Sequence, residues 1–430
     1  MLIKASVGSA GLRIASMILS LVVGMLLARN LGPSGYGVYA LVMSITALLT
    51  VPTEFGLPSL VTREVAAARV KCEWGRIRGI LRWSNTIVAI VSLLFLVVAS
   101  GWLWLRHADG DQIFSQTMIW GVLLIPLVAL NNLRGATLRG LGLIVRGQIP
   151  EIVLRPGLFA LLLLISVAWF GGSSLSAANA MALHVGATAI AFAVGMGMLL
   201  YAIPNECRHT TSIIQSRTWI SSAFPMALTE GMRFFQGNFA ILFLGWLATK
   251  ADVGLFRVAV QVGVLVALPT SILNIVIAPI ASKLFAGHEH EQLEKLVVYS
   301  ATAMFLGALV ILSVFTLFGR SLLGWFFGEE FSASYFALVI IGSSQMISAF
   351  FGLNATLLNM THHERLVTRA FLFSLILSLL SGFWLIWTYG VVGAAISSSI
   401  GLLVWNILMW RDARRVLSID SSVVTLRKLL

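Results

Sequence analysis

The chain of 430 residues is poor in charge: only 11 % are Asp, Glu, Lys or Arg, against about 25 % in an ordinary soluble domain. A surface facing water cannot be built from so few charges. Acids are the scarcer sign, 17 against 29 lysines and arginines. Cysteine is nearly missing. Cys72 and Cys207 lie far apart in the chain, both in loops expected to face the cytoplasm, so neither a structural disulfide nor a CxxC metal site is expected. No GxSxG, Walker-type lysine or serine-histidine-acid arrangement occurs. The histidines of HEHE (288–291) and His362-His363 lack the i,i+4 spacing of a helical zinc pair. No cofactor and no enzymatic reaction are expected. No cleavable signal peptide stands out either, so the first apolar run reads as a retained span.

Apolar residues fill that space, at 58 % of the chain. Runs long enough to cross a bilayer fall at about 9–28, 37–58, 82–105, 117–138, 150–170, 176–201, 219–248, 253–278, 296–318, 332–359, 368–388 and 391–410. Each must be a helix, because open strands leave backbone groups unpaired in lipid. Assigned to loops and termini, 23 lysines and arginines fall on the side of the two termini and four on the other. Such a bias places both termini in the cytoplasm. It also explains the net charge of +12 without a nucleic-acid partner. The basic stretches RIRGILRW (76–83) and RDARR (411–415) suit the anionic inner leaflet.

The two halves match. GVYALVMSITALLTVP (37–52) lies over GLFRVAVQVGVLVALP (254–269), and Arg146 over Arg365. An all-α polytopic membrane protein of twelve transmembrane helices follows, built as two parallel six-helix repeats. The lobes span residues 1–203 and 219–410, joined by a linker at 204–218 and followed by a basic tail at 411–430. Two matched bundles suit alternating access. Outer loops no longer than about 13 residues argue against a membrane-embedded glycosyltransferase or polymerase, and the duplication argues against a mere scaffold.

Ionisable groups inside spans are costly and mark candidate sites. TEGMRFFQGNF (229–239) carries Glu230 and Arg233 on one helix face, with Gln236 and Asn238 beyond them. These residues either bind substrate, or Glu230 and Arg233 pair locally. Arg13 occupies the repeat position of Glu230 and either lines a cavity or snorkels to the interface. Arg257 lies about one turn inside span 8 from the outer face and either binds substrate, snorkels to the interface or pairs with Asp252. Glu54, between Pro52 and Pro58, either couples transport to a cation or pairs with Arg63.

RNLGPSGYGVYAL (29–41) crowds Gly32, Pro33, Gly35 and Gly37 together. A phosphate cradle needs glycines for close backbone approach. The repeat counterpart LATKADVG (247–254) keeps only the last of them, so the stretch reads as a turn between spans 1 and 2. With the following TEFGLP and REVA, the run 26–66 resembles the first hairpin of the Wzx-type polysaccharide-biosynthesis flippases, of the superfamily that includes MATE exporters and lipid II flippases. That resemblance implies a V-shaped MATE-like fold in the bacterial cytoplasmic (inner) membrane. It implies transfer of undecaprenyl-pyrophosphate-linked oligosaccharide between leaflets, driven by a proton or sodium gradient or by the membrane potential. Membrane lipids and other polysaccharide assembly proteins would be the partners. Drug-exporting relatives share the span count, so a cation-coupled small-molecule exporter is the alternative.

Overall fold

A computed structural model describes residues 2–105, 112–171, 175–287, 289–361, 363–417 and 420–425. His288, His362, Arg106, Arg427 and Lys428 lie outside them, as do the side chains of Lys4 and Arg208. Every regular element among the described residues is helical. In order these are α1 (Leu2–Glu54), α2 (Leu57–Val70), α3 (Trp74–Leu105), α4 (Gln112–Gly140), α5 (Ile144–Ile149), a π-helical turn (Pro150–Leu154), α6 (Arg155–Phe170), α7 (Ala177–Ala202), α8 (Asn205–His209) and α9 (Ser216–Leu247). Then follow α10 (Lys250–Gly263), α11 (Leu268–Ala286), α12 (His290–Phe327), α13 (Tyr335–Phe351), α14 (Asn354–Met360) and α15 (Glu364–Leu417).

Unbroken, α1 would be about 80 Å long, far more than the ~30 Å hydrocarbon core. It is broken at Gly32, whose φ of 63° and ψ of 177° are open essentially to glycine alone, and Pro33 starts the next segment with a preset φ. Arg13 and Glu54 lie on opposite sides of this break and line the same cavity. A straight helix would hold them about 60 Å apart, so α1 is a hairpin. The turn read from GPSGYG is therefore a turn. At the repeat position a capping box does the same work: the Thr249 side chain accepts from the Asp252 amide, and Asp252 accepts from the Thr249 amide. The long α15 doubles back at Gly390 (φ 52°, ψ −124°), bringing Gly401 against Ser378 and Gly382 against Ser397. A side chain on Gly401 would overlap the Ser378 hydroxyl. Small residues at such a crossing let two helices approach in lipid.

Nine helices among the described residues are long and apolar enough to cross a membrane. Two of them are the hairpins α1 and α15, the more polar α9 carries a further apolar run, and each of the twelve runs read from the sequence falls mainly on helix. The protein is an all-α, multi-pass membrane protein.

The chain divides into two compact units, residues 1–238 and 239–430. In the first, Leu57, Leu60, Val61, Ile77, Ile80, Leu133 and Trp219 form a closed core, with Trp219 tilted against Trp83 at 5.3 Å. The α3 face bearing Leu93, Leu94 and Val97 is exposed, as a lipid-facing surface should be. The segment after α8 lies along α3: Ile213 donates its amide to the Gly75 carbonyl at 2.9 Å, and Arg78 bonds the Thr210 carbonyl at 2.6 Å. In the second unit the ends of α14 and α15 pack through Leu358, Ala370, Met409 and Ala413. The repeat is not strict. Pro52 stays inside α1, whereas its counterpart Pro269 opens α11 after a 3-10 turn (Val264–Ala267).

Candidate functional site

A recess of about 670 Å³ lies wholly within the first unit. Helices α1, α4 and α9 and the α5–α6 junction wall it. Glu54 is placed there by the way α1 ends. Phe55 and Gly56 both take positive φ (45° and 68°), which stops the helix one residue past the carboxylate. Gly56 is also pressed onto α9, so a Cβ there would sit 2.6 Å from the Ala227 amide nitrogen and 2.7 Å from the Ala223 oxygen. A carboxylate at a helix C-terminus faces the negative end of the dipole. Asn132 on α4 offsets this by donating from Nδ2 to Glu54 Oε1 at 2.6 Å.

The π-helical turn, closed by the Arg155 amide bonding the Pro150 carbonyl, brings Gln148, Glu151 and Arg155 into the lining. Arg139 joins from α4, Arg13 from α1 and Glu230 from α9. Three arginines and three glutamates thus share the lining, a formally balanced set. Three buried oxygens of lining residues have no hydrogen-bond partner: Thr46 Oγ1, Asn132 Oδ1 and Gln148 Oε1. An unmet buried polar atom costs about 1–3 kcal/mol; of the three, Thr46 Oγ1 faces Gly121 of α4. His184 completes the wall. Its ring stacks on Phe159 at 4.5 Å and its Nδ1 is 2.7 Å from the Tyr39 hydroxyl, which fixes the ring's orientation.

Of the residues singled out from the sequence, the structure brings Arg13, Glu54 and Glu230 together in this cavity. Arg233 is exposed and is not among the lining residues; Phe234, one position on, is. Gln236 is half-buried, and Asn238 donates to the Phe234 carbonyl at 3.0 Å within its own helix. Arg257 is exposed in the second unit.

The local pairings considered for these charges do not form. The five ion pairs among the described residues are Arg63–Glu64, Arg76–Glu64, Arg76–Glu73, Lys295–Glu291 and Arg414–Asp420. Glu230 and Arg233 are therefore not an ion pair. Asp252 is taken by its capping box rather than by Arg257. Arg63 pairs with the adjacent Glu64 rather than with Glu54.

Sequence reasoning missed Asn132, Arg139, Gln148, Glu151, Arg155 and His184. Arg139 falls one residue beyond the apolar run 117–138, while Arg155 and the buried Arg134 lie near the ends of runs, where a charge reads as belonging to a loop. In fact α4 reaches Gly140, and Arg155 opens α6. The polar NNLR (131–134) within an apolar run and the lone intramembrane His184 were the available signals.

The profile of the family described as polysaccharide biosynthesis protein matches residues 6–285. The probable low-salt glycan biosynthesis flippase Agl15 of Haloferax volcanii is 21 % identical over 387 residues, covering 89 % of this chain and 77 % of the relative. Stage V sporulation protein B of Bacillus subtilis is 27 % identical over 164 residues, which is 36 % of this chain and 31 % of that one. Among solved structures, an inward-facing multidrug resistance MATE family transporter of the MOP superfamily superposes with a TM-score of 0.76 at 16 % identity, covering 95 % and 98 % of the two chains. A MOP superfamily transporter from Pyrococcus furiosus, whose binding pocket is described as of reverse polarity, gives 0.61 at 16 % identity, with 96 % of each chain covered. The fold is that of the MATE transporters.

Proposed function

The chain belongs to the polysaccharide biosynthesis protein family, and from that premise we propose that it is a flippase carrying undecaprenyl-pyrophosphate-linked oligosaccharide from the inner to the outer leaflet. It works in the bacterial cytoplasmic membrane, with both termini in the cytoplasm and with membrane lipids and other polysaccharide assembly proteins as partners. The observation that carries this reading is the cavity's double character. Arg13, Arg139 and Arg155 offer charge-assisted hydrogen bonds to a pyrophosphate, while the unpartnered Thr46, Asn132 and Gln148 oxygens suit a polyhydroxylated sugar. An isolated ionised group costs tens of kcal/mol to move into a medium of low dielectric. Arginine contacts of about 1.5–3 kcal/mol each, as for hydrogen bonds to charged groups, together with a polar sugar lining, lower that barrier in steps. The polyprenyl tail stays in the bilayer.

Transport is driven by a proton or sodium gradient or by the membrane potential, with Glu54 as the coupling carboxylate. No catalytic group acts on the substrate, which leaves chemically unchanged. Expression in a flippase-null strain tests the reading: surface polysaccharide should return. A well-expressed chain that restores none would overturn it.

A second reading, a cation-coupled small-molecule exporter, draws on the cavity carboxylates Glu54, Glu151 and Glu230. It requires resistance to cationic drugs in an exporter-deficient strain without any return of polysaccharide.

A further inference from the structure

The first unit holds a second recess, of about 520 Å³, walled by α3, α4 and α7. Its walls are mostly apolar, with Leu81, Leu130, Leu133, Met196 and Leu199 among them, and Leu200 at its edge is 53 % exposed. Two arginines line it, Arg82 and Arg134. Arg82 is exposed and reaches only the Ser212 hydroxyl, at 3.5 Å.

Arg134 is different. It is 2 % exposed. Its Nη2 donates to Asn131 Oδ1 at 2.5 Å, but its Nε and Nη1 have no partner, and neither does Asn131 Nδ2 beside it. None of the ion pairs among the described residues involves it. The packing makes room for this guanidinium deliberately: a Cβ on Gly195 of α7 would fall on Arg134 Nη1.

An arginine cannot shed its proton to escape burial; Glu151 attracts it but makes no ion pair with it, and a buried charge without a close partner is strongly unfavourable. The site therefore asks for an anion. The apolar walls ask for one that carries hydrocarbon. We infer that this recess binds a phospholipid, whose headgroup phosphate accepts from Arg134 and, at the rim, from Arg82, while an acyl chain lies along the leucines. The site is separate from the proposed substrate cavity, whose lining residues do not include Arg134.

The test is native mass spectrometry of the full chain in detergent, titrated with phosphatidylglycerol, with diacylglycerol or with inorganic phosphate. Phosphatidylglycerol should be retained, diacylglycerol should not, and millimolar phosphate should fail to displace the lipid. Arg134→Gln should weaken retention about tenfold or more, as the loss of a charged hydrogen bond does. Leu200→Trp, which fills the recess from its exposed edge and leaves the buried charge in place, should weaken it comparably and keeps the test valid if Arg134→Gln fails to fold. Equal retention by the wild type and Leu200→Trp would overturn the inference. Displacement by inorganic phosphate would overturn it too, by making the site one for a soluble anion.

Discussion

Asn132 and Glu54, on helices α4 and α1, meet through a 2.6 Å hydrogen bond inside the cavity. This contact holds a carboxylate at the unfavourable end of a helix dipole and occupies one of its two oxygens. If Glu54 couples transport to a cation, Glu54→Gln keeps the shape and a hydrogen bond but removes the charge. Transport into reconstituted vesicles should then lose its response to an imposed proton or sodium gradient. A response equal to wild type would rule the coupling role out.

The unpartnered oxygens of the lining make a separate prediction. Gln148→Leu removes an unmet acceptor and should raise the half-saturating concentration of lipid-linked oligosaccharide about tenfold, the worth of one well-placed hydrogen bond. It should leave thermal stability nearly unchanged or improved, because a buried unsatisfied group disappears. A variant with unaltered half-saturation would remove Gln148 from the binding surface.

The arginines should sort by position. Arg139→Ala and Arg155→Ala, at the cavity wall, should cut surface polysaccharide in a complemented flippase-null strain by about tenfold or more, in line with lost charge-assisted bonds. Arg233→Ala, outside that lining, should do less at equal protein level. The reverse order would shift the binding role onto α9.

Gly32 is a backbone requirement rather than a binding element. Gly32→Ala forces a side chain into a conformation costing about 1–3 kcal/mol and should lower the melting temperature seen by fluorescence-detected size exclusion. Gly35, which is outside the positive-φ set, should tolerate Ala far better. Equal melting of the two variants would contradict the hairpin geometry.

The tail should respond to acid. Burial alone would raise the Asp420 carboxyl, but hydrogen bonds from Trp410 and Ser422 and the Arg414 charge outweigh it and hold the group below its ordinary 3.8. A carboxyl depressed in the docked state stabilises docking above its ordinary value, and that support is lost as pH falls below it. Ser421, bonded to the Phe351 carbonyl at 2.8 Å and to Asn354 at 2.6 Å, should then be released. Proteolysis of the tail should rise below about pH 4 in the wild type, whereas Asp420→Asn should show no such step. A flat wild-type profile would reject the assignment.

The helices and their count were legible because the bilayer demands long apolar runs, and twelve such runs stand apart in this chain. The hairpin at Gly32 was legible because only glycine followed by proline fits there. The cavity was harder. Glu54, Glu230 and Arg13 betray themselves as charges in apolar runs, but Arg139 sits one residue past the run 117–138 and Arg155 near the start of the run 150–170, where a helix end and a loop read alike. His184 and the Tyr39 hydroxyl meet across 145 positions of chain. No local pattern announces such a pairing, because it is decided by how α1 packs against α7.

The two thiols differ in a useful way. Cys72 is exposed in the turn between α2 and α3, whereas Cys207 is buried, with its thiol pushed up by burial and turned toward the Trp74 carbonyl at 3.6 Å. A thiolate is the reactive form, so a maleimide should label Cys72 alone. The unmodified chain thus carries its own reporter of sidedness: a membrane-impermeant maleimide applied to intact cells, then to lysed ones, reads which face of the membrane that turn occupies.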